Sequence, residues 1–208
     1  MSKTHVKRAL NHLRKADPVL AGIIKAVGPY RLVLREPTIE TLCRSIVYQQ
    51  VSGKAAATIF TRLKKAVGRT FNAKNILKLS PKELRACGLS QQKAAYVRDL
   101  AERVLSKEID FRRMKEMSDE DVIEHLTRVK GIGVWTAQMF LIFALERPNI
   151  LPVADLGVRN AITRAYRLTE KPSIDDLAKI AESWHPYCSV ATWYLWRSLD
   201  GPPNSKLA

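Results

Sequence analysis

The most distinctive candidate for a chemical role in this sequence is an isolated carboxylate in an apolar segment. Asp155 lies in NILPVADLGV, where no other side chain is charged, and it follows Gly133 by 22 residues. Because removing an unpaired charge from water is costly, such a carboxylate must be hydrogen-bonded or functional. An Asp directly before a helix is also a common N-cap. Both interpretations are open, and a cap would hold a catalytic carboxylate in place.

Residues 129–138, VKGIGVWTAQ, predict a tight turn that leads into an apolar helix. Gly131 and Gly133 permit positive φ and leave no Cβ in the path of an approaching backbone. The amides and dipole at the start of the next helix favour an anion, and Lys130 lies beside them. Phosphate binding is one interpretation. An ordinary helix–helix turn, where glycine is common, is the other.

The charge balance favours a polyanionic partner. The 208 residues contain 35 Lys and Arg against 20 Asp and Glu, which gives a net charge of +15. Cations that neutralise phosphates release condensed counterions, so this excess suits nucleic acid, although a generic basic surface has the same composition. We expect no membrane span and no signal peptide. The expected location is intracellular, in the cytoplasm or nucleoid of a prokaryote or the nucleus of a eukaryote.

Helix signals cover most of the chain and predict an all-α fold of roughly nine or ten helices. Only YRLVL, near residues 30–34, is predicted as extended, and the final GPPNSKLA is expected to be frayed. Three widely spaced cysteines predict free or buried thiols rather than disulfides or a zinc site. The predicted helix starts are Asp17, Thr38, Ser52, Ser80, Ser90, Ser118, Asp155 and Ser173.

Four segments in a similar order and spacing support a family assignment. They are SIVYQQVSGKAA, VKGIGVWTA, LPVADLGV and WHPYCSVATWYLWR, and together they cover most of residues 35–200. The second is similar to the LPGIGxxTA hairpin of helix-hairpin-helix DNA glycosylases, with Lys130 in place of the usual Pro. The set resembles the alkylation-repair branch of that superfamily, the 3-methyladenine DNA glycosylase II family.

The resemblance implies a single domain, residues 1–208, of two helical lobes with an active-site cleft between them. We expect residues 36–145 to form the central lobe with the hairpin, and residues 1–35 with 146–208 to form the second. Larger relatives carry an additional N-terminal β domain, which we do not expect here. A monomer that binds damaged duplex DNA is expected, with no membrane partner.

The resemblance also assigns the chemistry. Asp155 matches the catalytic aspartate, which stabilises positive charge developing on the sugar and orients a water. Trp135 stands where strand-cutting members have a lysine, so a monofunctional enzyme without lyase activity is expected. Trp135 and Trp196 match aromatic pocket positions, and Tyr48 and Met139 are further pocket candidates. Core packing is the alternative for each of these side chains.

Two segments are expected to contact DNA. In residues 49–54, Gln50 matches the wedge that fills the gap left by a flipped base, although an ordinary capped turn would have the same sequence. The expected phosphate contacts are Lys130, Gly131, Gly133, Thr136, Ser52, Gly53 and Lys54. By analogy alone, the backbone carbonyls of Thr127, Val129 and Gly131 would hold a sodium or potassium ion. No cofactor is required, and three cysteines exclude the four-cysteine iron–sulfur cluster of other branches.

Two other functions are compatible with the sequence. A catalytically silent helix-hairpin-helix DNA-binding protein would explain the charge and the KGIG turn, but it would need neither Asp155 nor a tryptophan pocket. Within the enzyme class, the alternative is a glycosylase for deaminated or oxidised bases, such as hypoxanthine or 8-oxoguanine. The absence of a lysine at Trp135 weakens the lyase-coupled form of that alternative.

Overall fold

The chain folds into two compact helical units, and one of them is built from both ends of the sequence. A computed structural model describes residues 2–200. The first unit comprises the described residues up to Leu34 and those from Glu146 onward, and the second comprises Arg35–Leu145. No β-strand occurs in residues 2–200, so the all-α prediction is confirmed for them.

The first unit is organised around its last helix. In this helix, α12 (Cys188–Leu199), the side chains from Cys188 to Leu195 are buried together with apolar residues from the other helices of the unit. Asp17 fixes the start of α2, because its carboxylate accepts the Leu20 N–H at 2.9 Å. The helices of this unit are α1 (Lys3–Ala16), α2 (Pro18–Val27), α10 (Leu156–Ala165), α11 (Ile174–Ala181) and α12 (Cys188–Leu199).

The second unit contains the predicted hairpin. Its helices are α3 (Ile39–Tyr48), α4 (Gly53–Val67), α5 (Ala73–Lys78), α6 (Pro81–Ala86), α7 (Gln91–Leu105), α8 (Asp119–Thr127) and α9 (Val134–Phe143). Helix α7 packs against α3, α5 and α6, and α8 packs against α9. The turn from Arg128 to Gly133 joins α8 to α9, which confirms the predicted helix–turn–helix arrangement.

Local capping chemistry starts most of these helices where the sequence predicts. Ser52, Ser90 and Ser118 each accept the N–H three residues ahead, and Asp17 and Asp155 do the same. Capping boxes form at Ser80–Glu83 and Ser173–Asp176. Thr38 precedes α3 but makes no side-chain cap. Short polar side chains satisfy N–H groups that a helix start leaves without intrahelical partners.

Two predictions about the elements were wrong. Residues 2–200 hold twelve α-helices rather than nine or ten, together with 3-10 turns at Arg113–Lys115 and Glu182–Trp184. The prediction missed α1 and the short α5. YRLVL forms no strand and lies in an irregular segment. The segment expected to be frayed lies outside the described residues. No helix within the described part of the chain is both long and apolar enough to cross a membrane.

Candidate active site

The candidate catalytic carboxylate is buried and held from two sides. Asp155 caps α10 and is 8% exposed. Its Oδ1 accepts the Val158 N–H at 2.8 Å and the Trp196 indole N–H at 2.9 Å. The backbone bond fixes the carboxylate to its own helix, and the indole bond fixes it to α12. The two interpretations of Asp155 are therefore compatible, since the cap orients the carboxylate.

Gly157 is a site residue that sequence reasoning missed. It has no positive φ, so its backbone does not require glycine. A Cβ built there would lie 3.0 Å from Asp155 Oδ1 and 3.1 Å from Trp196 Cδ1. Glycine therefore leaves the space in which the carboxylate and the indole meet. The only local signal was a glycine in the first turn of a helix, where it lowers helix propensity.

The other predicted pocket residues belong to the second unit. Trp135, in the first turn of α9, is 45% exposed, and Met139 in the same helix is half-buried. Tyr48 ends α3, and the Arg44 guanidinium lies 4.0 Å from its ring centroid. One face of Tyr48 is thus already covered by a cation. The pocket roles of these three residues stay predictions.

The two glycines of the hairpin turn differ in what they need. Gly131 has φ of +81°, and a Cβ there would lie 2.0 Å from Cδ2 of Tyr96. Gly133 has φ of −92° and open space around its Cα, so the positive φ that the sequence permits is used only at Gly131. Gly133 is exposed at the start of α9, where an anion could approach the backbone.

The other residues predicted to contact phosphate differ in how exposed they are. Lys130 is 71% exposed at its side chain, and its backbone N–H donates to Asp99 Oδ2 at 2.9 Å. Thr136 is 5% exposed, so it offers little surface to a phosphate. Gly53 and Lys54 are exposed in the first turn of α4. These contacts stay predictions.

The candidate wedge is exposed and has an unusual backbone. Gln50 has φ of +54°, a region that non-glycine residues visit at a cost. It follows Gln49, the C-cap of α3, with Val51 40% exposed beside it. Ser52 then caps α4 by accepting the Ala55 N–H at 3.3 Å. The turn is capped as the simpler interpretation predicts, and it presents two exposed side chains before the cap.

Two of the three carbonyls proposed to hold a monovalent cation already accept hydrogen bonds. Val129 O accepts the Ile132 N–H at 3.0 Å, and Gly131 O accepts the Gln49 side-chain amide at 2.8 Å. A carbonyl has two lone pairs, so these oxygens fit a cation only by sharing. No group of three or more His, Cys, Asp or Glu suited to a metal occurs in residues 2–200. All three cysteines are buried free thiols, as predicted, and burial raises the pKa of Cys188 to about 12.

Comparison with known proteins identifies the family. A family model described as HhH-GPD superfamily base excision DNA repair protein matches residues 43–186. The chain belongs to this superfamily, which confirms the resemblance drawn from its motifs.

Individual relatives are consistent with that assignment. The chain is 35% identical to DNA-3-methyladenine glycosylase 1 of Schizosaccharomyces pombe, over 94% of this chain and 88% of the relative. The structure of Mag1 from that organism in complex with abasic DNA matches with a TM-score of 0.82, at 34% identity, over 93% of this chain and 97% of that one. A DNA-3-methyladenine glycosidase structure from Bacillus halodurans matches with a TM-score of 0.84, at 34% identity, over 91% of this chain and 88% of that one.

Proposed function

We propose that the protein is a base-excision-repair DNA glycosylase that hydrolyses the N-glycosidic bond of alkylated purines in duplex DNA. The substrates are 3-methyladenine and 7-methylguanine, and the product is an abasic site. The supporting observation is the buried Asp155 carboxylate, bonded to the Val158 N–H and the Trp196 indole in a base-excision superfamily member. The relatives' names supply the substrate class.

Asp155 acts through its charge. Breaking the bond between base and sugar develops positive charge on the sugar, and a carboxylate already fixed in position stabilises that charge without reorganising during the reaction. The electron pair of the broken bond leaves with the base, and a water adds to the sugar carbon and releases one proton to solvent. Asp155 orients that water.

The alkylated base itself makes a strong acid unnecessary. A purine alkylated at N3 or N7 carries a positive charge, which the departing electron pair neutralises. Aromatic rings favour such cations by stacking and by cation–π attraction of about 1–2 kcal/mol. The bond between the Trp196 indole and Asp155 supports this role for Trp196.

The enzyme acts only as a hydrolase. Strand cleavage by a glycosylase requires an amine that forms a Schiff base with the opened sugar. The position that carries this amine in strand-cutting members is Trp135. We expect no covalent complex with abasic DNA after borohydride treatment. A complex that forms, and persists in a Trp135→Phe variant, would contradict this part of the proposal.

The hairpin turn and the loop before α4 contact the DNA. Exposed backbone at Gly133 and the charges of Lys130 and Lys54 suit phosphate. Gln50 fills the gap in the base stack when the damaged nucleotide is flipped out. A monovalent cation on the carbonyls of Thr127, Val129 and Gly131 would add positive charge next to the turn, although neither reaction nor fold depends on it.

Release of free base from methylated duplex DNA by the wild type and by Asp155→Asn tests the proposal. Asparagine is as good an N-cap as aspartate, so the helix start is preserved while the charge is lost. We expect release to fall by about 10²–10³-fold. Affinity for a duplex with an abasic-site analogue and the thermal midpoint serve as controls and should change little.

The alternatives give different results in the same assay. Equal release by both proteins would reduce Asp155 to a helix cap. DNA binding with no release of any base by the wild type would first direct the assay to hypoxanthine and 8-oxoguanine substrates. If these are also left intact, the protein is a silent DNA-binding module and the proposal is wrong.

A further inference from the structure

A partly buried lysine satisfies the end of the helix that precedes the candidate wedge. Lys93 of α7 donates from Nζ to Val47 O at 2.8 Å and to Gln49 O at 2.6 Å. Both carbonyls lie at the C-terminus of α3, where carbonyls lack intrahelical partners and the helix dipole is negative. Burial lowers the pKa of Lys93, so the ammonium has lost hydration to make these bonds.

Gln49 connects the same point to the hairpin turn. Its side-chain Nε2 donates to Gly131 O at 2.8 Å across 82 residues of sequence. Gly131 in turn is held by α7, because its Cα lies against the ring of Tyr96. One residue at the end of α3 is therefore bonded to α7 through its backbone and to the hairpin through its side chain.

The loop that begins at Gln49 contains the strained residue. Gln50 has φ of +54°, and a non-glycine residue in this region costs roughly 1–2 kcal/mol. Such a conformation persists only where the surroundings fix it. The fixed points are Gln49, bonded twice, on one side and the Ser52 cap on the other.

We propose that Lys93 and Gln49 are positioning residues that hold the base-displacing loop, residues 49–52, in a fixed register with the hairpin turn. The inference rests on the proposed function, since it assigns the loop to the flipped-base gap. A loop that is ordered before DNA binds avoids the entropy cost of ordering it while the base is extruded. Lys93 and Gln49 therefore act on base flipping rather than on bond cleavage.

The chain offers a matched control for Lys93. Arg98 lies on the same helix and donates from Nη1 to Leu79 O at 2.7 Å, at the end of α5. Lys93→Met and Arg98→Met each remove one cation that α7 donates to a helix C-terminus. Of these two cations, only Lys93 contacts the base-displacing loop. Gln49→Leu provides a second variant, which removes the bond to Gly131 while keeping the side-chain volume.

Flipping is tested by single-turnover excision of one alkylated purine in two duplexes. In the first the lesion is fully paired, and in the second it lies opposite an abasic-site analogue, where extrusion is less costly. For Lys93→Met and Gln49→Leu we expect a loss of about tenfold in the paired duplex, which corresponds to 1.4 kcal/mol, and less than about threefold in the other. Arg98→Met should stay within about twofold in both. Equal losses in both duplexes, or none in the paired one, would overturn the inference.

A second readout needs no base release. A 2-aminopurine placed opposite an abasic-site analogue changes fluorescence when a side chain enters the stack beside it. We expect wild type and Arg98→Met to give the full change, and Lys93→Met and Gln49→Leu to give less than half of it at saturating protein. A full change with both loop variants would overturn the inference. Absence of base release from the wild type would instead contradict the proposed function.

Discussion

At the residue scale, one indole is proposed to serve two purposes at the candidate catalytic carboxylate, as a hydrogen-bond donor and as a stacking surface. The N–H of Trp196 donates to Asp155 Oδ1, and the residue is half-buried. A hydrogen bond to a charged group contributes about 1.5–3 kcal/mol. Loss of the indole N–H should therefore weaken the hold on the Asp155 carboxylate even if an aromatic ring remains at position 196.

We accordingly expect Trp196→Phe to lower the turnover of 7-methylguanine by about tenfold and to change KM by less than about threefold. The phenyl ring preserves most of the stacking, but Asp155 loses one of the bonds that orient it. Steady-state kinetics on methylated duplex DNA measure both constants. A large rise in KM with unchanged turnover would show that the residue acts only as a pocket wall.

Gly157 gives a prediction in which stability and activity separate. Glycine to alanine within a helix usually stabilises a protein, by up to about 1 kcal/mol. A Cβ at Gly157 would press on Asp155 Oδ1 and Trp196 Cδ1. We expect Gly157→Ala to lower base release by about tenfold without lowering the thermal midpoint, because the bond between these groups must lengthen or tilt.

Gly22→Ala is the matched control for this variant. Gly22 lies inside α2 of the same unit, and a Cβ there would meet nothing within 4 Å. The alanine should raise the thermal midpoint and leave base release unchanged. If Gly157→Ala behaves in the same way, the close approach at Gly157 has no catalytic consequence.

At the element scale, local chemistry made most helix starts predictable. A Ser or Asp side chain caps a helix through an N–H three residues away, so the signal lies within four residues of sequence. Helix α1 was missed, although its sequence does carry a helical signal, since Val6, Ala9, Leu10 and Leu13 recur at helical spacing. YRLVL has apolar, β-favouring residues but no partner strand, and a strand needs one.

Contacts between distant segments had no such local signal. The Gln49 amide meets Gly131 across 82 residues, and the Trp196 indole meets Asp155 across 41. Motif resemblance selected Asp155, Trp196 and Gln50 as candidates, but nothing in the sequence paired them with Gly157, Lys93 or Gln49. These pairings depend on how the helices pack within each unit.

The hairpin turn gives an element-scale prediction from its two glycines. Alanine at Gly131 would need positive φ and would clash with Tyr96, so we expect Gly131→Ala to lower the free energy of unfolding by about 1–3 kcal/mol or more. Alanine at Gly133 meets no neighbour, but this residue is the N-cap of α9, where alanine is less favourable than glycine, so the change should cost about 0.5–1 kcal/mol.

We expect DNA affinity to rank the Gly131→Ala and Gly133→Ala variants in the opposite order from stability. We expect Gly133→Ala, which places a methyl group where a phosphate is proposed to approach the backbone, to weaken binding while its thermal midpoint falls less than that of Gly131→Ala. Chemical denaturation and fluorescence anisotropy measure the two quantities. Unchanged affinity in Gly133→Ala would remove the phosphate role from this glycine.

At the scale of the whole molecule, the two ends of the chain complete one core. Asp17 near the N-terminus accepts hydrogen bonds from the Trp184 indole, at 2.8 Å, and from the Tyr166 hydroxyl. Helices α1 and α2 also pack against α12, which carries Trp196. The proposed catalytic carboxylate and its indole partner are thus supported by helices more than a hundred residues away in sequence.

The net charge of +15 makes DNA binding strongly dependent on salt. Each phosphate neutralised by the protein contributes about −0.9 to the slope of log K against log salt. We expect Lys54→Ala and Lys130→Ala each to reduce the magnitude of that slope by about one, on damaged and undamaged duplex alike. Titrations by fluorescence anisotropy at several salt concentrations give the slopes.

Lys64 provides the control, because its Nζ lies 2.6 Å from Glu40 Oε1, whereas Lys130 Nζ lies 3.9 Å from Asp99 Oδ1 and is less closely paired. Lys64→Ala should leave the slope unchanged. The comparison separates phosphate contacts from the general field of a basic protein, since removal of any cation lowers the net charge equally. If all three variants change the slope alike, the excess charge attracts DNA without a defined contact at the hairpin or at the loop before α4.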